Sequence, residues 1–315
     1  MQLLFIADAL GTFKTYKDTT FAMMREGARR GYAIWACHPA DLVWVRGAKV
    51  TALAAKRIAL TGEEHDWFTV EETRDFVLAE ANAVLMRKDP PFDSEYFYAT
   101  HLLQQAEREG AKVVNSPAAL RDHPEKLAIL EFPELITPTL VTRNEAAIRA
   151  FQAEHGDIIL KPLDGMGGMG IFRVKADGLN LGAIIETLNK GGRETVMVQR
   201  FIPEIVSGDK RILVIGGEVV PFCLARIPQG QEVRGNLAVG GKGVVQPITE
   251  RDREIATLVG ARLAARGLVF IGLDVIGDCM TELNVTSPTG FAEITAQSGF
   301  DVAKMFIDAV ERAIT

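Results

Sequence analysis

Residues 157–174, DIILKPLDGMGGMGIFRV, place Lys161 inside an apolar run with the composition of a buried strand, then a glycine-rich loop, then a second strand-like run. A lysine in such a strand loses hydration that only a fixed anion or acceptor replaces, so its ammonium demands a partner. A phosphate serves; the alternative is an internal carboxylate. Gly165, Gly167 and Gly170 satisfy G-x-G-x-x-G, but the dinucleotide fingerprint needs a helix next, and IFRV reads as a strand. No Gly-Lys-Ser/Thr closes the loop, which excludes a P-loop. What remains is a β-hairpin whose glycine tip, with Gly165, Gly167 and Gly168, lays backbone N–H groups over phosphates, or else a plain mobile turn. Lys126, in DHPEKLAIL just after Pro124, reads as lying near a helix start, where dipole and ammonium face one anion; taken alone, a solvated helix lysine is the plainer reading.

A second constellation lies in GLDVIGDCMTELNVTSP, residues 272–288. Glu282 and Asn284 are two apart and share a strand face. A three-residue loop of Gly277, Asp278 and Cys279 pairs Asp274 with Glu282, whereas a two-residue turn pairs Asp274 with Thr281 and sends Glu282 to the other face. Oxygen donors without histidine or cysteine suit a hard ion such as Mg²⁺ held jointly with phosphates; strand acids otherwise face solvent. LVFIGLDVIG is apolar on both faces, so Asp274 is expected to be buried and to need a partner. The stretch 225–243, ARIPQGQEVRGNLAVGGKG, is long and glycine-rich and carries Arg226, Arg234 and Lys242, as a lid over an anion would. SGDKRILVIGG adds Asp209, Lys210 and Arg211 at a strand entrance, with ordinary surface charge as the alternative reading for any of them.

The elements that position these groups differ between the two parts of the chain. Up to about residue 122, strands alternate with helices: QLLFIADA, the helix TTFAMMREGARRG stopped by Gly31, YAIWACHP, a hairpin in DLVWVRGAKVTALAA, AVLMRKDPPFD, the helix SEYFYATHLLQQAEREG with Ser94 as N-cap, and AKVVN. This order implies a doubly wound parallel sheet with Asp8 and the cluster Arg87, Lys88, Asp89 at the carboxyl ends of strands. From residue 123, paired strands with glycine turns dominate, as in IILKP with IFRV, RILVI with VVPFC, and LVFIGLDVIG with MTELNV. One helix is marked by Thr249 with Asp252 as a capping box and Gly267 as its stop. The reading is α/β followed by α+β.

At 315 residues with 48% hydrophobic and 24% charged residues, the chain has the composition of a globular protein of about two domains. A net charge of −6 without a basic stripe argues against nucleic-acid binding. Cys37, Cys223 and Cys279 are widely spaced and read as free thiols. The first apolar run is too short for a signal sequence, and nothing is long enough to span a membrane, so the expected location is cytoplasmic.

LMRKDPPFD, ILKPLDGMGG, ARIPQG, RGNLAVGG and TELNVTSPT each resemble segments of the prokaryotic glutathione synthetases of the ATP-grasp superfamily, and the resemblance extends over essentially the whole chain. It implies an ATP-grasp fold with an N-terminal doubly wound domain (1–122), a central lobe with the glycine hairpin (123–202) and a C-terminal lobe (203–315) with a closing loop, 227–242. It implies a ligase that joins γ-glutamylcysteine to glycine through an acyl phosphate, with ATP and two Mg²⁺ ions, Mn²⁺ able to substitute, as a homotetramer. By the resemblance Lys126 and Lys161 hold phosphates; Gln199, Arg200, Phe201 and Ile202 line the adenine pocket; and Asp209 meets the ribose. Asp274, Glu282 and Asn284 carry metal. Arg211, Arg226 and Arg234 serve catalysis and the closing loop, and Arg87, Asp89 and Ser287 the acceptor substrate. Met169 and Gly170 depart from the family pattern, as does Lys242, which stands where an arginine can occur. The competing expectations are another ATP-grasp carboxylate-amine ligase, a kinase that stops at phosphoryl transfer, and a non-catalytic ATP-binding module.

Overall fold

The computed structural model describes residues 1–230 and 232–315; position 231, within the expected closing loop, lies outside the described residues. The first sheet has seven strands: β1 (Gln2–Ile6), β2 (Ala33–Cys37), β3 (Leu42–Val43), β4 (Thr51–Leu60), β5 (Phe68–Val77), β6 (Ala83–Met86) and β7 (Val113–Val114). β2, β1, β6 and β7 run parallel in that order. Helices α1 (Thr19–Arg29), α2 (Ser94–Arg108) and α3 (Pro117–Asp122) accompany them. Alternate residues of β1 serve opposite faces: Leu3 and Phe5 pack with Met23 of α1, Leu4 and Ile6 with Tyr96 and Ala99 of α2. That two-sided cover is the doubly wound arrangement.

Two local expectations change. The N-cap of α2 is Asp93, whose carboxylate accepts from Tyr96 N at 2.9 Å, one residue before Ser94. The hairpin of β3 and β4 forms, and β4 then continues into a second, longer hairpin with β5. β5, FTVEETRDFV, is exposed at most positions, so no apolar alternation announces it.

The second sheet, β8 (Thr139–Thr142), β9 (Ile158–Pro162), β10 (Phe172–Val174) and β11 (Val196–Arg200), is antiparallel in the order β10-β9-β11-β8. With α4 (Glu145–His155) and α5 (Leu181–Asn189) it encloses a core of its own that includes Ile148, Ile158, Leu160, Ile185 and Val198. The third sheet, β12 (Asp209–Ile215), β13 (Glu218–Ile227), β14 (Lys242–Pro247), β15 (Phe270–Ile276) and β16 (Cys279–Asn284), is antiparallel in the order β14-β13-β12-β15-β16. Helices α6 (Glu250–Ala264), α7 (Phe291–Ser298) and α8 (Val302–Ile314) complete the chain. The capping box of α6 forms as expected, Thr249 and Asp252 exchanging two bonds of 3.1 Å. Helices α4, α5, α7 and α8 are additions to the expected elements, although Val302, Phe306, Ile307 and Val310 of α8 form a helical stripe that is fully buried.

The first and third sheets share a core. Phe270, Phe291 and Phe306 pack with one another and belong to the same cluster as Leu3, Phe5 and Leu85. Around its edge Arg30, the C-cap of α1, pairs with Glu26 (2.7 Å) and reaches Asp308 (2.7 Å) and Glu311 (2.6 Å) of α8. Emptying this core should therefore loosen both parts at once. Phe306→Ala is expected to cost about 3–5 kcal/mol, and tryptophan fluorescence from the N-terminal sheet and far-ultraviolet circular dichroism should still report one coincident urea transition. Two separated transitions would show that the cores are independent.

Candidate active site

Strand register in the third sheet sets charged side chains in a row. Asp209 and Arg211, two apart on β12, share a face; Asp209 pairs with Arg226 on β13, and Arg211 with Asp274 on β15. Asp274 in turn pairs with Glu282 on β16. Arg211 grips Asp274 with both Nε (2.5 Å) and Nη2 (3.1 Å), and Arg226 Nη2 bridges Asp274 (2.8 Å) and Asp209. Burial pushes the Asp274 carboxyl up, but the two guanidinium groups outweigh it and hold the group well below the usual carboxylate range. Asp209 is held above that range by burial, with the Asp274 charge adding to it, in spite of Arg226, and its Oδ1 is buried without a hydrogen-bond partner.

The Asp274–Glu282 pairing arises by a route different from the one expected. The turn is the two-residue kind, Gly277-Asp278, since Ile276 pairs with Cys279 and Val275 with Met280. A bulge at Thr281 then restores the register that puts Glu282 opposite Asp274 and Asn284 opposite Gly272. The bulge also frees the Thr281 carbonyl, which accepts from Lys161 Nζ at 2.9 Å. Lys161 is 5% exposed and has no carboxylate within ion-pair reach among the described residues. Burial pulls its ammonium down to about 8.

Lys126 does not stand at a helix N-terminus. It lies in a turn before a four-residue 3₁₀ segment, Ala128–Glu131, and so lacks the dipole expected of a longer helix. Its ammonium pairs with Glu282 at 3.1 Å and donates to the Gly165 carbonyl. Glu125 fixes that turn against the end of β16, accepting from Val285 N (3.0 Å), Thr286 N (3.1 Å) and Thr286 Oγ1 (2.8 Å). Sequence reasoning passes over Glu125, and only its adjacency to Lys126 points to it.

The glycine hairpin joins β9 to β10, with positive φ at Gly167, Gly168 and Gly170. It meets the 227–242 loop: Arg234 Nη1 donates to Gly168 O at 3.1 Å, and a Cβ on Gly168 would come within 2.7 Å of Asn236 Oδ1. One cleft is lined by Lys126, Lys161, Gly165, Gly167, Gly168, Gln199, Arg200, Phe201, Ile202, Asp209, Arg234 and Glu282. Ile159, Ile205 and Ile276 also line it, and Phe201 of the lining lies under the Arg173 guanidinium, 3.6 Å from the ring centroid.

Glu282 and Gly167 also border a second cavity, with Asp274, Asn284, Arg211, Arg226, Asp89 and Ser287. Asp89 borders a third, at the carboxyl edge of the parallel sheet, with Asp8, Asp18, His38 and Arg87. Arg87 is thus one cavity removed from the charged row. It is buried and donates to Thr20 Oγ1 (3.2 Å) and Pro288 O (3.0 Å), and no carboxylate pairs with it among the described residues. Besides Glu125, the cavity linings contain Thr137 and Asn236, which carry no motif of their own. The oxygen-only set Asp274, Glu282 and Asn284 faces one cavity and fits a hard divalent ion arriving with phosphates. Among the described residues no three His, Cys, Asp or Glu side chains form a preassembled metal cluster.

Residues 125–299 match the family model for the prokaryotic glutathione synthetase ATP-grasp domain, and residues 1–121 that for the prokaryotic glutathione synthetase N-terminal domain. Glutathione synthetase of Ralstonia nicotianae is 59% identical over 313 residues, 99% of this chain and 96% of the relative. That of Neisseria meningitidis serogroup A is 56% identical, covering 98% of each, and that of Xanthomonas campestris pv. campestris 49%, covering 99% and 98%. Among solved structures, the D-cycloserine synthetase DcsG superposes with a TM-score of 0.67 at 16% identity (99% and 100% covered). The ATP-grasp ligase PsnB with its minimal precursor gives 0.63 at 19% (99% of each). At such identities these two establish the fold.

The depressed ammonium of Lys161 has a measurable consequence. An arriving phosphate raises its affinity for the proton, so nucleotide binding above pH 8 should take up protons that binding at pH 6.5, where the group is already charged, does not. Calorimetry at pH 8.5 in buffers of differing ionisation enthalpy measures this uptake. It is expected to disappear in Lys161→Arg; equal uptake by that variant would place the titrating group elsewhere.

Proposed function

The chain belongs to the prokaryotic glutathione synthetase family and is an ATP-dependent ligase that forms a peptide bond, and we propose that its cleft joins γ-glutamylcysteine to glycine through an acyl phosphate. ATP lies with its base beside the apolar lining residues Ile159 and Ile276 and against Gln199, Arg200, Phe201 and Ile202. The unpaired Asp209 Oδ1 accepts from a ribose hydroxyl, and the phosphates run beneath the glycine hairpin toward Lys126 and Lys161. Asp274, Glu282 and Asn284 would hold two Mg²⁺ ions, which when bound neutralise phosphate charge; Mn²⁺ would substitute. Arg87, Asp89 and Ser287 hold the acceptor, on the side of the cleft away from the base.

The cysteinyl carboxylate attacks the γ-phosphorus, a C–O–P bond forms, and the bridging bond to ADP breaks. Lys126, Lys161 and Arg211 offset the charge that gathers on the transferring oxygens. Glycine's amine then attacks the activated carbonyl, and phosphate leaves as the amine gives up a proton. Water competes for that carbonyl, which assigns a task to the segment around Arg234 and Asn236: lying on the glycine hairpin, it covers the phosphates. We extend the reading to the three-part division at 122/123 and 202/203, to a homotetramer and to a cytoplasmic enzyme. No helix among the described residues is long and apolar enough to cross a membrane.

The observation that carries this proposal is the environment of Lys161, a buried ammonium with a single backbone carbonyl for a partner, facing the cleft that the hairpin and Glu282 also line. ADP release with Mg·ATP and γ-glutamylcysteine should be slow until glycine is added and then stoichiometric with peptide. A rate indifferent to glycine would indicate a kinase, and no ADP at all a binding module. Replacing residues 232–239 by a short glycine linker should leave substrate binding partly intact but raise ADP released per peptide formed well above one; unchanged coupling would refute the covering role.

A further inference from the structure

The base end of the cleft contains a polar side chain whose orientation is dictated from behind. Thr139 Oγ1 donates to the Thr137 carbonyl at 2.8 Å and so uses the only proton a hydroxyl has. Its 3.0 Å contact with the Gln199 side chain must then be accepted from an N–H, which turns Nε2 toward Thr139 and Oε1 away from it. Gln199 stands opposite both Thr139 on β8 and Ile159 on β9, and Ile159 and Gln199 both line the cleft. Gln199 is 4% exposed, and no donor reaches its Oε1 among the described residues. In the same lining the hydroxyl of Thr137, itself 2% exposed, is buried without a partner. A buried hydroxyl without a partner and an amide oxygen that accepts from no described donor, both bordering one cleft, call for a ligand edge with complementary hydrogen bonds.

We propose that Thr139 is a positioning residue that sets the choice of nucleobase by locking the Gln199 amide with its oxygen toward the ligand. The proposal rests on the reading of residues 199–202 as the adenine pocket. A fixed acceptor suits the exocyclic amine of adenine. The carbonyl that guanine carries at the corresponding position would face it with a second acceptor, and an unpaired buried acceptor is costly. Without the Thr139 hydroxyl the amide can rotate through 180° and offer N–H instead, so selectivity falls while the slot keeps its shape.

The test is the ratio of kcat/KM for ATP to that for GTP in the full-length enzyme and three variants. Thr139→Val keeps the side-chain shape and should lower the ratio by about tenfold or more, the scale of one lost hydrogen-bond discrimination, with the KM values for γ-glutamylcysteine and glycine unchanged. Thr139→Ser restores the hydroxyl and should keep the ratio of the unsubstituted enzyme. A Thr139→Val enzyme with undiminished selectivity overturns the proposal, as does a Thr139→Ser enzyme that loses it. Gln199→Ala separates the two readings. If it changes neither the KM for ATP nor the ratio, the base does not lie here and the adenine-pocket reading fails, taking this inference with it. If it relaxes selectivity while Thr139→Val does not, only the role of Thr139 is overturned.

Discussion

The structure depends on setting opposed charges, most of them buried, in one row across a sheet. Arg226, Asp209, Arg211, Asp274 and Glu282 belong to four adjacent strands and meet only because the register of β13, β12, β15 and β16 aligns them. An isolated carboxylate or guanidinium in that position would be expensive, so each member is tolerable only while its neighbours are present. Such a row fixes geometry more than it adds stability. A one-residue slip of β16 would move Glu282 to the far face and leave both the Asp274 side of the cavity and Lys126 without it.

The bulge at Thr281 shows how that register is obtained, and also why it could not be read in full. The sequence admits either a three-residue loop, which needs no bulge, or a two-residue turn, which by itself misplaces Glu282. The structure takes the tighter turn and corrects the register three residues later. The correction has its own consequence, because the carbonyl it removes from the ladder becomes the acceptor for Lys161. One irregularity thus orients both an acid and a lysine from a different sheet.

Legibility followed the range of the forces involved. Strands such as IILKP and LVFIGLDVIG, the doubly wound N-terminal sheet and the capping box of α6 express local periodicity and local hydrogen bonds, and these could be read. The burial of Lys161 and Asp274 was legible for a related reason, since a charge within an apolar run is carried indoors by its neighbours along the strand. Helix α8 has a legible stripe, whereas β5 gives no signal because its side chains are mostly solvated. The partners were beyond reach. Nothing local says that Asp209 should be shared with an arginine seventeen residues on, or that Glu125 should be tied to Thr286 beyond the end of β16. Thr139 behind Gln199 is a contact of the same long-range kind.

Lys126 and Lys161 divide the work of the cleft between them. Both ammonium groups border it, yet Lys126 is already paired with Glu282 and the Gly165 carbonyl, while Lys161 has one neutral acceptor and a depressed proton affinity. Lys126 therefore links three parts that must move together, namely the glycine hairpin, the turn fixed by Glu125 and the acid on β16. It holds the cleft in shape before any anion arrives. Lys161 is the group with most to gain from an anion, because its dehydration has been only partly offset. One face of the second sheet encloses a core of its own, whereas Met197, opposite Lys161 on β11, belongs to a cluster shared with the first and third sheets. An anion bound by Lys161 would be held by a side chain of the second sheet against carboxylates of the third, and the Lys161–Thr281 and Lys126–Gly165 bonds tie the two sides of that grip together.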